Sequence, residues 1–149
     1  MKLNIYFILL GFFCTSACYA GLIISESDAD QPGIDNAEFI ELYDGGLGTT
    51  SLDGYSLVLF NGSDDRSYLA FDLDGYTTNS AGYFVICGDG NNVVNCDLDV
   101  SPSINLIQNG ADAIALYQGD ALDFPNDTDI TPSGLVDSLV YDTNDGNDA

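Results

Sequence analysis

Asp30-Gln-Pro-Gly-Ile-Asp-Asn-Ala-Glu-Phe-Ile-Glu-Leu-Tyr43 joins a polar, turn-rich loop to a dense run of strand-forming residues. In a strand, successive side chains point to opposite faces. This alternation places Ile40 and Leu42 together on one face, and Phe39 and Glu41 on the other. The stretch therefore predicts a half-buried strand that follows a loop rich in oxygen-bearing side chains.

The rest of the chain alternates in the same way between short apolar segments and acidic turns rich in Gly, Asn and Asp. No segment shows a sustained apolar pattern at i, i+3 and i+4, and no internal repeat is evident. The predicted strands are residues 22–26, 38–43, 55–60, 67–71, 82–87, 113–117 and 135–141. We expect the third and fourth to form a hairpin, and the nearly all-apolar fifth to be central and covered on both faces. Short strands at this spacing indicate an all-β sandwich or barrel.

The first twenty residues have the pattern of a secretory signal peptide. Lys2 precedes a short apolar run, and small residues lead to Ala20. That run is shorter than the roughly 20 residues needed to span a bilayer. We expect cleavage after Ala20, secretion and no membrane span, which leaves a domain over residues 21–142 and a disordered acidic tail over 143–149. A rival interpretation makes residues 15–18 a lipoprotein cleavage site, with a lipid on Cys18.

The exported chain is strongly acidic. Loss of Lys2 with the signal peptide changes the formal net charge from −22 to −23 and leaves Arg66 as the sole basic residue. Such a chain repels nucleic-acid phosphates and anionic membranes, so we expect neither as a partner. It attracts divalent cations or basic partners, although high acidity also serves solubility in salty water.

The residue inventory excludes most catalytic chemistry. The chain contains no histidine and no tryptophan, and lysine leaves with the signal peptide. Histidine bases, Ser-His-Asp triads, histidine-ligated zinc and lysine Schiff bases are therefore absent. A glycosidase-like carboxylate pair could be drawn from Glu26, Glu38 and Glu41, which could equally be ordinary strand residues. We predict no catalytic residues.

Two cysteines and two asparagines are candidates for covalent modification. Cys87 and Cys96 are an even count in an exported protein, so we predict that they form a disulfide. Asn61 and Asn126 lie in N-glycosylation patterns, which are used only in a host that glycosylates.

Calcium is the one cofactor that the acidic loops suggest. It binds loops that supply several carboxylate and amide oxygens and a glycine for the turn. The best candidate site is the opening loop, with ligands Asp28, Asp30, Asp35 and Asn36. Two further acidic segments qualify loosely, Asp72 with Asp74, and Asp142, Asn144, Asp145 and Asp148 in the tail.

Six segments, in order along the chain, resemble the lamin tail domain family. They are similar to a series of motifs of that family, among which are EFIEL, GYFVL and VDSV. The segments are residues 22–26, 37–43, 52–57, 82–86, 109–117 and 134–141, so that the similarity spans about residues 22–142. Asp44 stands where the family often has asparagine, and Tyr55 where it often has tryptophan. The resemblance implies an immunoglobulin-like β-sandwich that acts as a non-catalytic interaction module.

The function expected from the sequence is therefore binding. The leading hypothesis is a secreted lamin-tail-like module that associates with a protein or an extracellular surface through its acidic loops. The alternative is an accessory domain, or a truncated fragment, of an extracellular nuclease- or phosphatase-type hydrolase, because such hydrolases accompany secreted members of the family.

Overall fold

The computed structural model describes residues 21–143, which form two four-stranded β-sheets. The first sheet has the order β1-β2-β5-β6 and the second the order β4-β3-β7-β8. The strands are β1 (Ile23–Asp28), β2 (Phe39–Tyr43), β3 (Tyr55–Asn61), β4 (Arg66–Asp72), β5 (Tyr83–Cys87), β6 (Leu98–Asp99), β7 (Asp112–Gln118) and β8 (Leu135–Tyr141). The prediction of an all-β, immunoglobulin-like sandwich is confirmed. The predicted signal peptide, and the predicted tail beyond Thr143, lie outside the described residues.

All seven predicted strands are present, with ends within two residues of the predicted bounds. The predicted hairpin is the antiparallel pair β3–β4. Two elements were not predicted, the two-residue strand β6 and a 3-10 turn at Ala121–Asp123. β6 pairs in parallel with β5 and is the one parallel neighbour in the sheets described. An element of two residues is too short to leave a periodic pattern in the sequence.

The core lies between the two sheets and is built of aliphatic side chains from both. In β2, Ile40 and Leu42 are fully buried, whereas Phe39, Glu41 and Tyr43 are only half-buried on the outer face. The alternation predicted from the sequence is therefore confirmed. The same buried cluster contains Phe84 and further leucine and isoleucine side chains, namely Leu22, Leu52, Leu57, Leu59, Leu73, Ile86, Leu106, Ile107, Ile114 and Leu116.

The predicted central strand, β5, is covered on both faces. Phe84 and Ile86 point into the core, while Val85 and Cys87 are buried on the outer side. The outer side is covered because the loop after Cys87 folds back and packs Val93 against it.

Two identical Leu-Asp-Gly-Tyr turns close the base of the β3–β4 hairpin. Residues 52–55 lead into β3, and residues 73–76 follow β4. Leu52 and Leu73 are both fully buried in the core. The two turns also exchange backbone hydrogen bonds, from Leu52 N to the carbonyl of residue 76 at 3.0 Å and from Leu73 N to that of residue 55 at 3.1 Å. The interpretation of the chain as free of internal repeats was therefore wrong at this short scale.

The aspartates of these turns bond across to each other's glycine. The Asp53 carboxylate accepts a hydrogen bond from Gly75 N at 2.7 Å, and the Asp74 carboxylate accepts one from Gly54 N at 2.5 Å. Both glycines have positive φ, 76° and 85°, a conformation that glycine adopts without steric cost. Asp74, which the sequence suggested as a loose calcium ligand, thus holds a turn.

Candidate functional site

A groove of about 410 Å³ lies on the outer face of the first sheet, where β1, β2 and β5 meet the loop closed by the disulfide. Its floor is apolar and includes Phe39, Val85 and Val93. At its rim, Val94 is 82% exposed. The solvent-facing side of an antiparallel sheet is usually polar, so this apolar strip is unusual.

One wall of the groove is acidic. Glu26 and Glu41 are direct partners in the β1–β2 ladder, and Asp28 is the partner of Phe39 two positions further along β1. Directly opposed side chains have Cβ atoms about 5 Å apart, and like charges at that position repel. Ser25 Oγ donates a hydrogen bond to Glu41 Oε1 at 2.8 Å, which satisfies part of one carboxylate without neutralising its charge.

A β-bulge turns Glu26 toward this wall. The pairing register shifts between Ile24, opposite the buried Leu42, and Glu26, opposite the outward-facing Glu41. With strict alternation Glu26 would share the inner face with Ile24. The irregularity therefore creates the pair of opposed glutamates.

The disulfide predicted from the sequence is present and shapes the other side of the groove. Cys87 and Cys96 are bonded across a sequence separation of 9 residues. Just beyond the loop, Asp97 binds the edge of β5, because its carboxylate accepts from Val85 N at 2.9 Å and its own N–H donates to the Val85 carbonyl at 2.8 Å. The loop is thereby fixed at both ends, with Val93 packed against β5 and Val94 facing solvent.

Glu38 lies outside the groove. It precedes β2 on the same face as Ile40 and is only 1% exposed. Its carboxylate accepts hydrogen bonds from Leu106 N at 2.5 Å and Ile107 N at 3.0 Å. Burial raises the pKa of Glu38, the two backbone hydrogen bonds lower it, and the net result is a pKa of about 7. Glu38 therefore anchors a distant loop, and the structure separates it from Glu26 and Glu41.

Asp44 is a second buried carboxylate with a structural role that was not predicted from the sequence. It accepts hydrogen bonds from Leu47 N at 2.9 Å, Gly48 N at 3.1 Å, and the Thr50 and Thr78 hydroxyls, both at 2.7 Å. Burial by itself raises the pKa of Asp44, but these hydrogen bonds outweigh it and lower the pKa to about 2. The available signal was an acidic residue followed by a glycine-rich turn.

The four predicted calcium ligands have different surroundings. Asp28 lines the groove, whereas the buried Asp35 accepts hydrogen bonds from Gln31 N at 3.0 Å and Asn109 Nδ2 at 3.2 Å. Asp30 is exposed and Asn36 half-buried. Within residues 21–143, no group of three or more His, Cys, Asp and Glu side chains is placed to hold a metal ion. A calcium site in the opening loop would need backbone or amide oxygens as well, and it stays a prediction.

The two glycosylation patterns differ in exposure. Asn61 is half-buried, and its Nδ2 donates to Gln108 Oε1 at 2.9 Å while its Oδ1 accepts from Ser63 N at 2.8 Å. Asn126 is exposed. In the folded chain, Asn126 is therefore the more accessible acceptor, and use of either site stays a prediction.

Among residues 21–143, no helix has the length and apolar character needed to cross a membrane. A scan of the chain against models of known protein families finds no match, and a search of curated proteins finds none either.

Proposed function

We propose that this chain is a secreted, non-catalytic module of the lamin-tail type, which binds a protein or an extracellular surface. The six segments that carry the resemblance fall on or beside β1, β2, β3, β5, β7 and β8, in that order. The observation that most directly supports binding is the groove on the outer face of the first sheet. Its volume of about 410 Å³ lies within the range typical of ligand pockets, and it combines an apolar floor with a few polar groups at its wall.

The non-catalytic part of the proposal rests on where the buried acids are used. Buried carboxylates with shifted pKa values are frequent in active sites. Here Glu38 and Asp44 are such groups, but Glu38 accepts from two backbone N–H groups of a loop, and Asp44 accepts from backbone N–H and hydroxyl groups. Both are consequently structural anchors.

One observation favours a second candidate function. Retaining glycosidases use two carboxyl groups about 5 Å apart, and Glu26 and Glu41 are directly opposed in a groove. A small glycosidase is therefore tested alongside the binding module. Purified wild-type protein and the Glu26→Gln variant would be incubated with a polysaccharide panel. Release of sugar by the wild type alone would support the enzyme, whereas no release by either would dismiss it.

The binding proposal is tested by surface capture. The mature domain, immobilised, is exposed to the extracellular fraction of its source, and the retained material is compared among three proteins. These are the wild type, Val94→Asp at the groove rim and Ile130→Asp, an exposed apolar residue after the 3-10 turn. We expect a partner to be retained by the wild type and Ile130→Asp but lost with Val94→Asp. Equal retention by all three, or no specific retention, would contradict the proposal.

The proposal that the chain is secreted is tested separately. Expression of the full chain in a secreting host should release a protein whose first residue is Gly21. Retention of the chain inside the cell, with residues 1–20 still attached, would contradict secretion. Release of a lipid-modified protein that begins at Cys18 would support the lipoprotein interpretation instead.

A further inference from the structure

We propose that the groove of the first sheet binds an extended peptide segment in which a lysine or arginine stands two residues from an aliphatic residue. This inference rests on the proposed binding function and specifies the partner's chemistry. It is carried by the acidic wall and the apolar floor together, since each accounts for one part of such a segment.

The charge of the wall indicates a cationic ligand. Glu26 and Glu41 oppose each other, with Asp28 beside them, so that the groove concentrates negative charge. The only basic side chain among residues 21–143 is Arg66, which lies at the start of β4 in the other sheet and pairs with Asp129 at 2.8 Å. Since the described part of the chain supplies no cation to this wall, a positively charged group from a partner would relieve the repulsion.

The apolar floor distinguishes a basic side chain from a simple cation. Lysine and arginine have long aliphatic stems that pack on apolar surface while the charged end reaches a polar group. Beside Phe39 and Val85 the stem would lie on the floor, with the charged end directed at the glutamates. Val93 and the exposed Val94 offer a second apolar contact for an aliphatic side chain two residues away in the segment.

The size of the groove favours a peptide segment over a folded domain. A volume of about 410 Å³ holds only a few side chains. The groove also reaches β1, which is an edge strand of its sheet. An extended segment can lie along such an edge and present alternate side chains to the groove.

The test measures binding of labelled eight-residue peptides by fluorescence anisotropy. The probe peptide contains Lys-Ser-Val flanked by glycine and serine, so that the lysine and valine side chains share one face, and the matched peptide has glutamine in place of the lysine. We expect the lysine peptide to bind the wild-type domain at least about tenfold more tightly than the glutamine peptide, since charge-assisted contacts contribute more than neutral ones. Affinity should also fall as salt is raised, because salt screens exposed charges.

Substitutions in the groove, compared with a control pair elsewhere, test whether the peptide binds there. The double variant Glu26→Gln/Glu41→Gln should weaken binding of the lysine peptide about tenfold by the same reasoning. The control Asp64→Asn/Asp123→Asn removes the same charge from the far side of the molecule and should change affinity less than about twofold, the residual effect of net charge alone. All four are isosteric changes, at a half-buried Glu41 and at the exposed Glu26, Asp64 and Asp123. Should the first variant unfold, Val94→Lys tests the same site by adding a positive charge at the rim, and it should likewise weaken binding.

Equal affinity for the lysine and glutamine peptides, or equal losses in the two double variants, would overturn the inference. Either result would overturn only the proposed peptide chemistry, because the binding function is tested separately by surface capture. If Val94→Asp still abolishes capture of the natural partner while the lysine peptide does not bind, the groove is a binding site for another kind of ligand and only the present inference fails.

Discussion

Asp53 and Asp74 each bind the turn that contains the other. The Asp53 carboxylate accepts from Gly75 N at 2.7 Å, and the Asp74 carboxylate accepts from Gly54 N at 2.5 Å. The bond from Gly75 is also the main reason that the pKa of Asp53 lies below its usual value. Two identical turns thus form one reciprocal clasp, which joins the entry of β3 to the exit of β4.

A double-mutant cycle tests this clasp. Asp53→Ala and Asp74→Ala should each lower the thermal denaturation midpoint, and the double variant should lower it by less than the sum, because loss of one bond loosens the pair that the other holds. Asp53→Asn and Asp74→Asn keep an oxygen acceptor and should have smaller effects. Strictly additive losses would mean that the two turns act independently.

The buried Glu38 should make stability depend on pH. Its pKa rises from the ordinary 4.5 to about 7 on folding. The folded state therefore favours the protonated carboxyl, so that the contribution of Glu38 is fully present below pH 4.5 and is lost as the pH rises through about 7. We expect the difference in unfolding free energy between the wild type and Glu38→Gln to change across this window, as measured by urea denaturation at pH 4.5, 6 and 8. A difference that does not vary with pH would contradict this role.

Removal of the Glu38 carboxylate should also be costly in itself. Glu38→Ala leaves the N–H groups of Leu106 and Ile107 without their acceptor. An unsatisfied buried donor costs about 1–3 kcal/mol, so for the two donors we expect a loss of roughly 2–6 kcal/mol in the same urea experiment. A loss below about 1 kcal/mol would indicate that the loop finds other partners.

Asp44 should respond to pH in the opposite sense. Its pKa falls from 3.8 to about 2 on folding, so its contribution is present above pH 3.8 and is lost as the pH falls through about 2. Asp44→Asn should be less stable than the wild type at pH 5, and the gap should narrow toward pH 2. Circular dichroism during acid unfolding measures both. A gap that is constant from pH 5 to pH 2 would exclude the ionised Asp44 as the anchor.

The disulfide should stabilise the groove as well as the chain. Cys87→Ala/Cys96→Ala removes a crosslink across a separation of 9 residues, for which loop entropy predicts a loss of roughly 2.5–3 kcal/mol. Because Asp97 still binds the edge of β5, we expect the sandwich to persist while the loop that carries Val93 and Val94 becomes mobile. Hydrogen exchange should therefore accelerate in residues 88–96 far more than in β3 or β7. Equal acceleration throughout would show that the bond supports the whole fold.

The strands of the fold were predictable because short patterns of apolar and polar residues determine them. The alternation around Ile40 and Leu42 identified a half-buried strand, and the apolar run ending at Cys87 identified a central one. The sequence position of Glu38, two residues before Ile40, already placed it on the buried face by the same rule. Its partners at residues 106 and 107 were not predictable, since they are nearly seventy positions away.

The groove was not predictable for a related reason. Opposition of Glu26 and Glu41 depends on the pairing register and on the bulge after Ile24, neither of which leaves a mark in the composition of β1. The sequence directed attention to the opening loop instead, where Asp35 turned out to bond to Gln31 and Asn109. The repeated Leu-Asp-Gly-Tyr turns, by contrast, were visible in the sequence as two identical tetrapeptides.

The most direct test of the proposed binding surface is an NMR titration of the ¹⁵N-labelled domain with the Lys-Ser-Val peptide. If the outer face of the first sheet is the binding surface, the amide shifts should change for Glu26, Phe39, Glu41 and Val94 and remain unchanged around the distant Gly54 and Gly75. Saturation of those shifts, with their loss in Glu26→Gln/Glu41→Gln, is the predicted result. Shifts centred on the second sheet, or none at millimolar peptide, would contradict the assignment of this face as the site of binding.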